Sequence, residues 1–213
     1  LQKYIPKDAN KIDPVFMVGN NWLPYTAIVN VFIVNKNQLN SSEYPRTWPD
    51  LGRSNLKGRI SSARADKSGS SYMQLATVLT IYGDKGWDVY KPILQNFVLS
   101  GSSSAVPRFV NDGEAAVGVT LEDNAYKYVQ GGGPVEIVYP EDGTVAAPDG
   151  IALVKNGPNS QNGKIFIDWA LSKETQDFLV QEMGRRPIRT DVSASGDLPP
   201  LSSFCLLYTS DAA

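Results

Sequence analysis

The chain has 213 residues, 42% hydrophobic and 20% charged, with 20 Lys and Arg against 22 Asp and Glu for a net charge of -2. This describes a globular chain able to bury a core, and it gives no electrostatic case for nucleic acid or an anionic membrane. There is no histidine and one cysteine, Cys205, which removes the usual catalytic triads, most zinc sites and any internal disulfide. No run approaches the roughly eighteen apolar residues of a bilayer-spanning helix.

Residues 1–20 are weakly patterned and punctuated by Pro6 and Pro14. Trp22 to Val34 reads as a strand. Its near-continuous β-branched run, interrupted by Asn30, predicts burial on both faces. Thr47 is placed to cap a short helix with Pro49 in its first turn. A strand over Ile60–Arg64 leads through Asp66, a partner for Arg64 or Lys67, into Ser68-Gly69-Ser70-Ser71. That turn opens a helix with the apolar stripe Tyr72, Leu75, Ala76, Leu79 and Tyr82, and Gly83 stops it. Unpaired backbone N–H groups and hydroxyls there face one spot at the positive end of a helix dipole, suited to an anionic or polyhydroxylated group. Helix capping by Ser68 or Ser70 accounts for the same residues. A second helix from about Gly86 carries Trp87, Tyr90, Leu94, Phe97 and Val98 as core.

Ser102–Ser104 precede a short amphipathic segment with Val106, Phe109 and Val110. The strand Ala115–Val119 ends at Thr120-Leu121-Glu122-Asp123, where a helix toward Tyr128 begins. A second strand thus delivers polar groups onto a helix start. In open α/β sheets ligands sit beyond the carboxyl ends of strands; a cap at Thr120 and first-turn acids at Glu122 and Asp123 are the plainer alternative. Val135–Tyr139 is a further strand. Asp142 lies in a Glu-Asp-Gly-Thr turn that turn chemistry alone explains. Ile151–Val154 is β-rich, and Ser160 to Gln181 reads as two helices broken near Leu171, with Ser172 capping the second. Strands alternating with helices predict an α/β fold. Cys205–Ala213 reads as the translated end of a sequencing adapter and is set aside.

Seven phrases in order carry a resemblance: Tyr44-Pro-Arg-Thr-Trp-Pro-Asp-Leu51, Lys57-Gly-Arg-Ile60, Ser68-Gly-Ser-Ser-Tyr72, Asn111-Asp-Gly-Glu114, Gly118-Val-Thr-Leu-Glu-Asp123, Val138-Tyr-Pro-Glu-Asp-Gly-Thr144 and Phe166-Ile-Asp-Trp-Ala-Leu-Ser-Lys-Glu-Thr-Gln176. From about Trp22 to Ile188 the chain resembles the extracellular solute-binding proteins of ABC importers, in the branch of ferric-ion, phosphonate and sugar-phosphate receptors. The resemblance implies the type 2 two-lobe α/β architecture with ligand held between the lobes. It implies that a first lobe-forming segment lies before Leu1, leaving apolar helix faces exposed. Residues 1–36 are then a remnant of lobe 1 with the first hinge strand, 37–133 lobe 2, and 134–199 the second hinge strand and return to lobe 1. Residues 200–213 are expected to form a disordered tail, of which 205–213 are the adapter.

Ferric receptors of the family use a consecutive tyrosine pair where this chain has Glu122-Asp-Asn124, with Tyr126 and Tyr128 out of register. Hydroxyls and amides at Ser68, Gly69, Ser70 and Ser71 suit a phosphate or phosphonate, with Thr120 beside them. Glu122 and Asp142 are acceptors for sugar hydroxyls or an ammonium group. The expected ligand is a sugar phosphate or an aminoalkylphosphonate; a ferric receptor and the effector-sensing domain of a transcription regulator are the alternatives. The expected partners are a small solute and an ABC permease, with no nucleic acid, no cofactor and no metal. The protein is expected to be a periplasmic or lipid-anchored monomer whose signal segment lies outside this chain. An enzyme would have only Asp, Glu, Lys or Tyr chemistry to draw on.

Overall fold

The computed structural model describes residues 1–17, 19 and 21–207, so residues 208–213 of the adapter-like segment lie outside the described residues. Among the described residues seven strands and six α-helices follow one another: β1 (Leu23–Asn35), β2 (Ile60–Ala63), α1 (Gly69–Tyr82), α2 (Gly86–Asn96), β3 (Phe97–Ser100), α3 (Val106–Asn111), β4 (Val117–Leu121), α4 (Glu122–Gln130), β5 (Val135–Val138), β6 (Thr144–Ile151), α5 (Ser160–Ala170), α6 (Lys173–Met183) and β7 (Leu206–Leu207). The chain divides into two compact units, one of residues 29–145 and 201–207, the other of 1–28 and 146–200. The divisions fall inside β1 and β6, whereas the sequence reading drew them at 36/37 and 133/134.

In the first of these units the sheet order is β3-β2-β4-β1-β5. β2 runs parallel to β3 and β4, while β1 is antiparallel to β4 and β5. Alternation along β1 sends Phe32 and Val34 to one face. There they join Trp48, Leu51, Ile60, Val78, Tyr90, Ile93, Val117 and Val119 in a single buried cluster. Phe32 meets Trp48 edge to face at 5.1 Å. On the opposite face α3 packs directly on β4. A Cβ at Gly118 would stand 2.8–2.9 Å from side-chain carbons of Val106, Ile33 and Val110, so only a bare backbone admits that approach.

Several expectations shift. Phe97 and Val98 are not the end of α2 but the edge strand β3. Residues 151–154 do not form the next strand; β6 runs earlier, and Leu153 makes only an isolated bridge with Gln2. Thr47 caps nothing. The short 3-10 turn Pro49–Gly52 is instead held by Asp50, whose Oδ2 accepts the N–H groups of Arg46 and Thr47 at 2.9 and 3.0 Å. Helix α1 begins and ends where expected, with Ser68 as N-cap and Gly83 at φ 53°. Its buried side, however, is Ser71, Gln74, Thr77 and Val78, and Tyr72 is exposed. The segment expected as a disordered tail turns at Leu201–Ser203, stacks Phe204 on Tyr139 at 4.4 Å and bonds Thr144 N–H to the Cys205 carbonyl at 2.9 Å.

Burial pushes the Asp50 carboxyl up, but the Arg46 and Thr47 N–H groups and the Arg53 guanidinium outweigh it and hold the group below its ordinary 3.8. A carboxylate with a depressed folded value contributes stability above its unfolded value, lost as pH falls through the folded one. Asp50→Asn is therefore expected to flatten the acid limb of a stability–pH curve below about pH 4. Urea midpoints at stepped pH check this.

In the other unit, α5 and α6 meet at the expected break, where Ser172 accepts the Thr175 N–H at 3.3 Å. Gln176 is fully buried and joins three segments: its amide donates to the carbonyls of Tyr25 (2.7 Å) and Ala170 (3.1 Å) and accepts the Ile188 N–H (3.2 Å). Ile165, Phe166, Trp169 and Phe178 are each more than half exposed, the apolar helix faces that the sequence reading expected to lie open.

Candidate functional site

Because β2, β3 and β4 are parallel, their carboxyl ends share one edge of the sheet. Strand β5, antiparallel to β1 as β4 is, ends there too. The loops leaving that edge carry most of the polar residues picked from the sequence. After β2 the chain turns through Arg64 and Asp66, an exposed bidentate pair at 2.9 and 2.7 Å. The Arg64 guanidinium holds the Asp66 carboxyl below its usual range. This pair belongs to the surface, as the plainer reading had it.

Ser68 Oγ accepts the Ser71 N–H at 3.4 Å, so Ser68 does act as a cap. Gly69 is exposed and Ser70 half-buried. Ser71 is buried, and its Oγ has no partner. One turn on, Gln74 is buried with its Nε2 also unpaired. Ser71, Gln74 and Val78 stand on the same side of α1, and Val78 belongs to the buried cluster that contains Phe32.

Asn30 lies in the same row of β1 as Phe32 and pairs in register with Leu121, the last residue of β4. It therefore sits at the carboxyl edge on the α1 face, two strands and about 10 Å across from β2. Its side chain is fully buried and neither amide atom has a partner. Its own carbonyl accepts the Thr144 hydroxyl at 2.7 Å. Thr120, next to the strand end on the opposite face, is buried with Oγ1 unpaired. Each of these atoms is a buried hydrogen-bonding group whose capacity is unspent, a condition rare enough in folded proteins to need a cause.

Glu122 opens α4, is almost completely buried, and accepts the Tyr139 hydroxyl at 2.6 Å. Asp123 is buried beside it. Thr120 and Glu122 thus share the edge with Ser68–Ser71. Asp142 is placed differently. Its Oδ2 accepts the Trp48 N–H at 2.9 Å and the Tyr82 hydroxyl, while Oδ1 is unpaired. Tyr82 ends α1, roughly 16 Å along the helix axis from Ser71, so Asp142 is not gathered with the serine turn. Burial, and then the Asp142 carboxylate, push the Tyr82 hydroxyl far above the ordinary phenol range, which keeps it a donor.

Asn30 and Gln74 are the additions that the structure makes. An apolar-periodicity reading passes over both, though Asn30 was visible as a polar break in a β-branched run. A cavity of about 280 Å³ also opens on the α3 side, lined by Ser61, Val98, Ser100, Phe109 and Glu114; none of Asn30, Ser68–Ser71, Gln74, Thr120, Glu122 or Asp142 lines it. Among the described residues no three Cys, Asp or Glu gather as a metal site.

An α/β unit whose parallel strands end at a polar, incompletely bonded edge has the form of a ligand-binding domain. The chain belongs to the family of bacterial extracellular solute-binding proteins, which it matches over residues 2–206. An uncharacterized protein of Haemophilus influenzae is 33% identical over 159 residues, 74% of this chain and 46% of that protein. The Fe(3+)-binding periplasmic protein of Serratia marcescens is 24% identical over 191 residues, 83% of this chain and 55% of that protein. The solved periplasmic binding protein AfuA of Actinobacillus pleuropneumoniae, with exogenous fructose-6-phosphate bound, superposes with a TM-score of 0.90 at 28% identity, over 98% of this chain and 69% of that one. The chain spans about half the length of the curated relatives it matches.

Proposed function

We propose that the full-length gene product is the solute-capturing component of an ABC importer. It acts as a monomer at the outer face of the cytoplasmic membrane, periplasmic or lipid-anchored, and hands a small polar anionic solute to a permease without catalysing any reaction. The preferred solute is a sugar phosphate or an aminoalkylphosphonate. In this reading the unit of residues 29–145 is one lobe. The observation that carries the reading is the set of buried, unpaired polar atoms on Asn30, Ser71, Gln74 and Thr120 at the carboxyl edge of its sheet. A receptor needs such groups held ready, since solute binding completes the hydrogen bonds that the empty protein lacks. Family membership and the structural likeness to a protein holding fructose-6-phosphate support the same reading.

A thermal-shift panel tests it, with hexose phosphates, aminoalkylphosphonates, Fe(III) with citrate, and plain sugars against the full-length product. A ligand at about 100 times its Kd adds roughly 2.7 kcal/mol of stability. A shift with the phosphorylated or phosphonate compounds is expected; a shift with iron alone would contradict the serine-turn anion site. Glu122→Ala is expected to weaken solute binding by about 1–3 kcal/mol, since it removes a buried acceptor. Calorimetric titration checks this. Unchanged affinity with a lowered melting point would leave Glu122 only its bond to Tyr139.

A further inference from the structure

We infer that Asn156 is a self-modifying site, which loses its side-chain amide to the nitrogen of Gly157 and leaves an aspartate or isoaspartate in the turn before α5. The sequence holds two Asn-Gly pairs, Asn156-Gly157 and Asn162-Gly163. In each, the second residue has no side chain to shield its nitrogen from the carboxamide of the first. The Gly157 nitrogen bonds to Asn156 Cγ, the Cγ–Nδ2 bond breaks, and Nδ2 leaves as ammonia with the proton of the glycine N–H. Water then opens the cyclic imide at either carbonyl. Opening at Cγ leaves aspartate. Opening at the backbone carbonyl leaves isoaspartate, whose chain runs on through Cβ and Cγ and is longer by one carbon. Water is the only co-reactant, and nothing is oxidised or reduced.

The fold separates the two pairs. Both asparagines are exposed, so access does not decide between them. Asn156 is the one non-glycine residue at positive φ among the described residues, at 60°. It is the third residue of the turn Val154–Gly157, which the Gly157 N–H closes on the Val154 carbonyl at 3.3 Å. A left-handed backbone is unfavourable for a residue with a Cβ, and the turn has one long hydrogen bond to give up when the ring closes. Asn162 lies in the first turn of α5, where the Gly163 N–H donates to the Asn159 carbonyl at 2.9 Å. A Cβ at Gly163 would stand 2.7 Å from Leu153 Cδ1, so that backbone is packed against a buried side chain. Ring closure there takes the Asn162 ψ out of the helical well at about −42° and opens the helix end.

The two products differ in what they disturb. The Ser160 hydroxyl, at the head of α5, donates to the Gly157 carbonyl at 2.9 Å, and the Gln2 N–H donates to the Leu153 carbonyl at 2.8 Å. Aspartate keeps the chain length and both of these bonds. The extra backbone carbon of isoaspartate carries the Gly157 carbonyl away from Ser160.

The test is incubation of the full-length product at mildly alkaline pH, both native and in urea. Peptide mass spectrometry then reads the one-dalton gain at each asparagine, and electron-transfer fragmentation tells isoaspartate from aspartate. In the native protein Asn156 is expected to convert about tenfold or more faster than Asn162, whose reaction waits on opening of the helix end. The rate should rise with pH, because the attacking nitrogen must give up its proton. In urea the two rates should draw together. Asn156→Gly suits the φ of 60° and carries no amide to lose, so its melting point should hold through the incubation while that of the parent falls as isoaspartate accumulates. Asn156 that stays intact in the native protein overturns the inference, as does Asn162 converting equally fast. Rates that remain apart in urea overturn the structural assignment, since they place the difference in the neighbouring sequence and not in the fold. A melting point that falls equally in the Asn156→Gly protein overturns the link between this turn and the loss of stability.

Discussion

Trp48→Ala is expected to lower the unfolding free energy of the unit that contains it by about 3–5 kcal/mol. The indole is 1% exposed and among the largest fully buried side chains. It stands edge to face on Phe32, its Nε1–H donates to the Gly143 carbonyl at 2.9 Å, and its backbone N–H donates to Asp142. Alanine would open a cavity between β1 and the 3-10 turn at Pro49–Gly52 and leave the Gly143 carbonyl unmet. Trp48→Phe keeps most of the apolar volume and loses only the N–H, so about 1–3 kcal/mol is expected for it. Urea denaturation followed by far-ultraviolet circular dichroism separates the two. Equal losses would assign the effect to the hydrogen bond and not to the ring's volume.

Arg189→Ala is expected to cost about 2–3 kcal/mol in the other unit. The Arg189 side chain is 4% exposed and donates to Asp8 at 2.7 Å, to Asp191 at 2.8 and 2.9 Å, and to the Leu171 carbonyl at 2.8 Å. It thereby ties the amino-terminal segment and the chain after α6 to the end of α5. Removing one member of a fully buried pair costs about 3–5 kcal/mol. Here Asp8 and Asp191 are 46% and 33% exposed, so water recovers part of that loss. Arg189→Lys keeps the charge without the planar fork and should fall between alanine and the parent. Denaturation midpoints of the three proteins check the order. A lysine variant as weak as alanine would show that geometry, not charge, is what matters.

The layered α/β fold was legible because its signals are local. Ser68 and Gly83 bracket α1, Ser172 restarts the chain at α6, and the β-branched run of β1 announces a strand covered on both sides. What stayed hidden depends on distant partners. Phe97-Val98-Leu99 continues the apolar content of α2, and only its pairing with Ile60–Ala63 makes it an edge strand. The buried side of α1 departs from its apolar stripe because it begins with Ser71 and Gln74, polar residues that a hydrophobic period assigns outward. Nothing local shows that the Trp48 N–H, 94 residues away in the chain, donates to Asp142 Oδ2. The rule that ligands lie beyond strand ends singled out the serine turn, Thr120 and Glu122, and the fold gathers these at one edge of the sheet. Asn30 and Gln74 needed the hydrogen-bond inventory of the folded chain.

None of Asn30, Ser68, Ser71, Gln74, Thr120 or Glu122 belongs to the apolar cluster that holds residues 29–145 together. In the receptor reading, the side chains offered to the solute are thus not the ones that fill the apolar interior, although Ser68 also caps α1 and Glu122 also bonds Tyr139. On that reading a lineage can exchange side chains of the rim while the apolar interior keeps its residues. Kinship at 24% identity with a protein named for Fe(3+), and at 28% with one that holds fructose-6-phosphate, is the pattern such independence would leave.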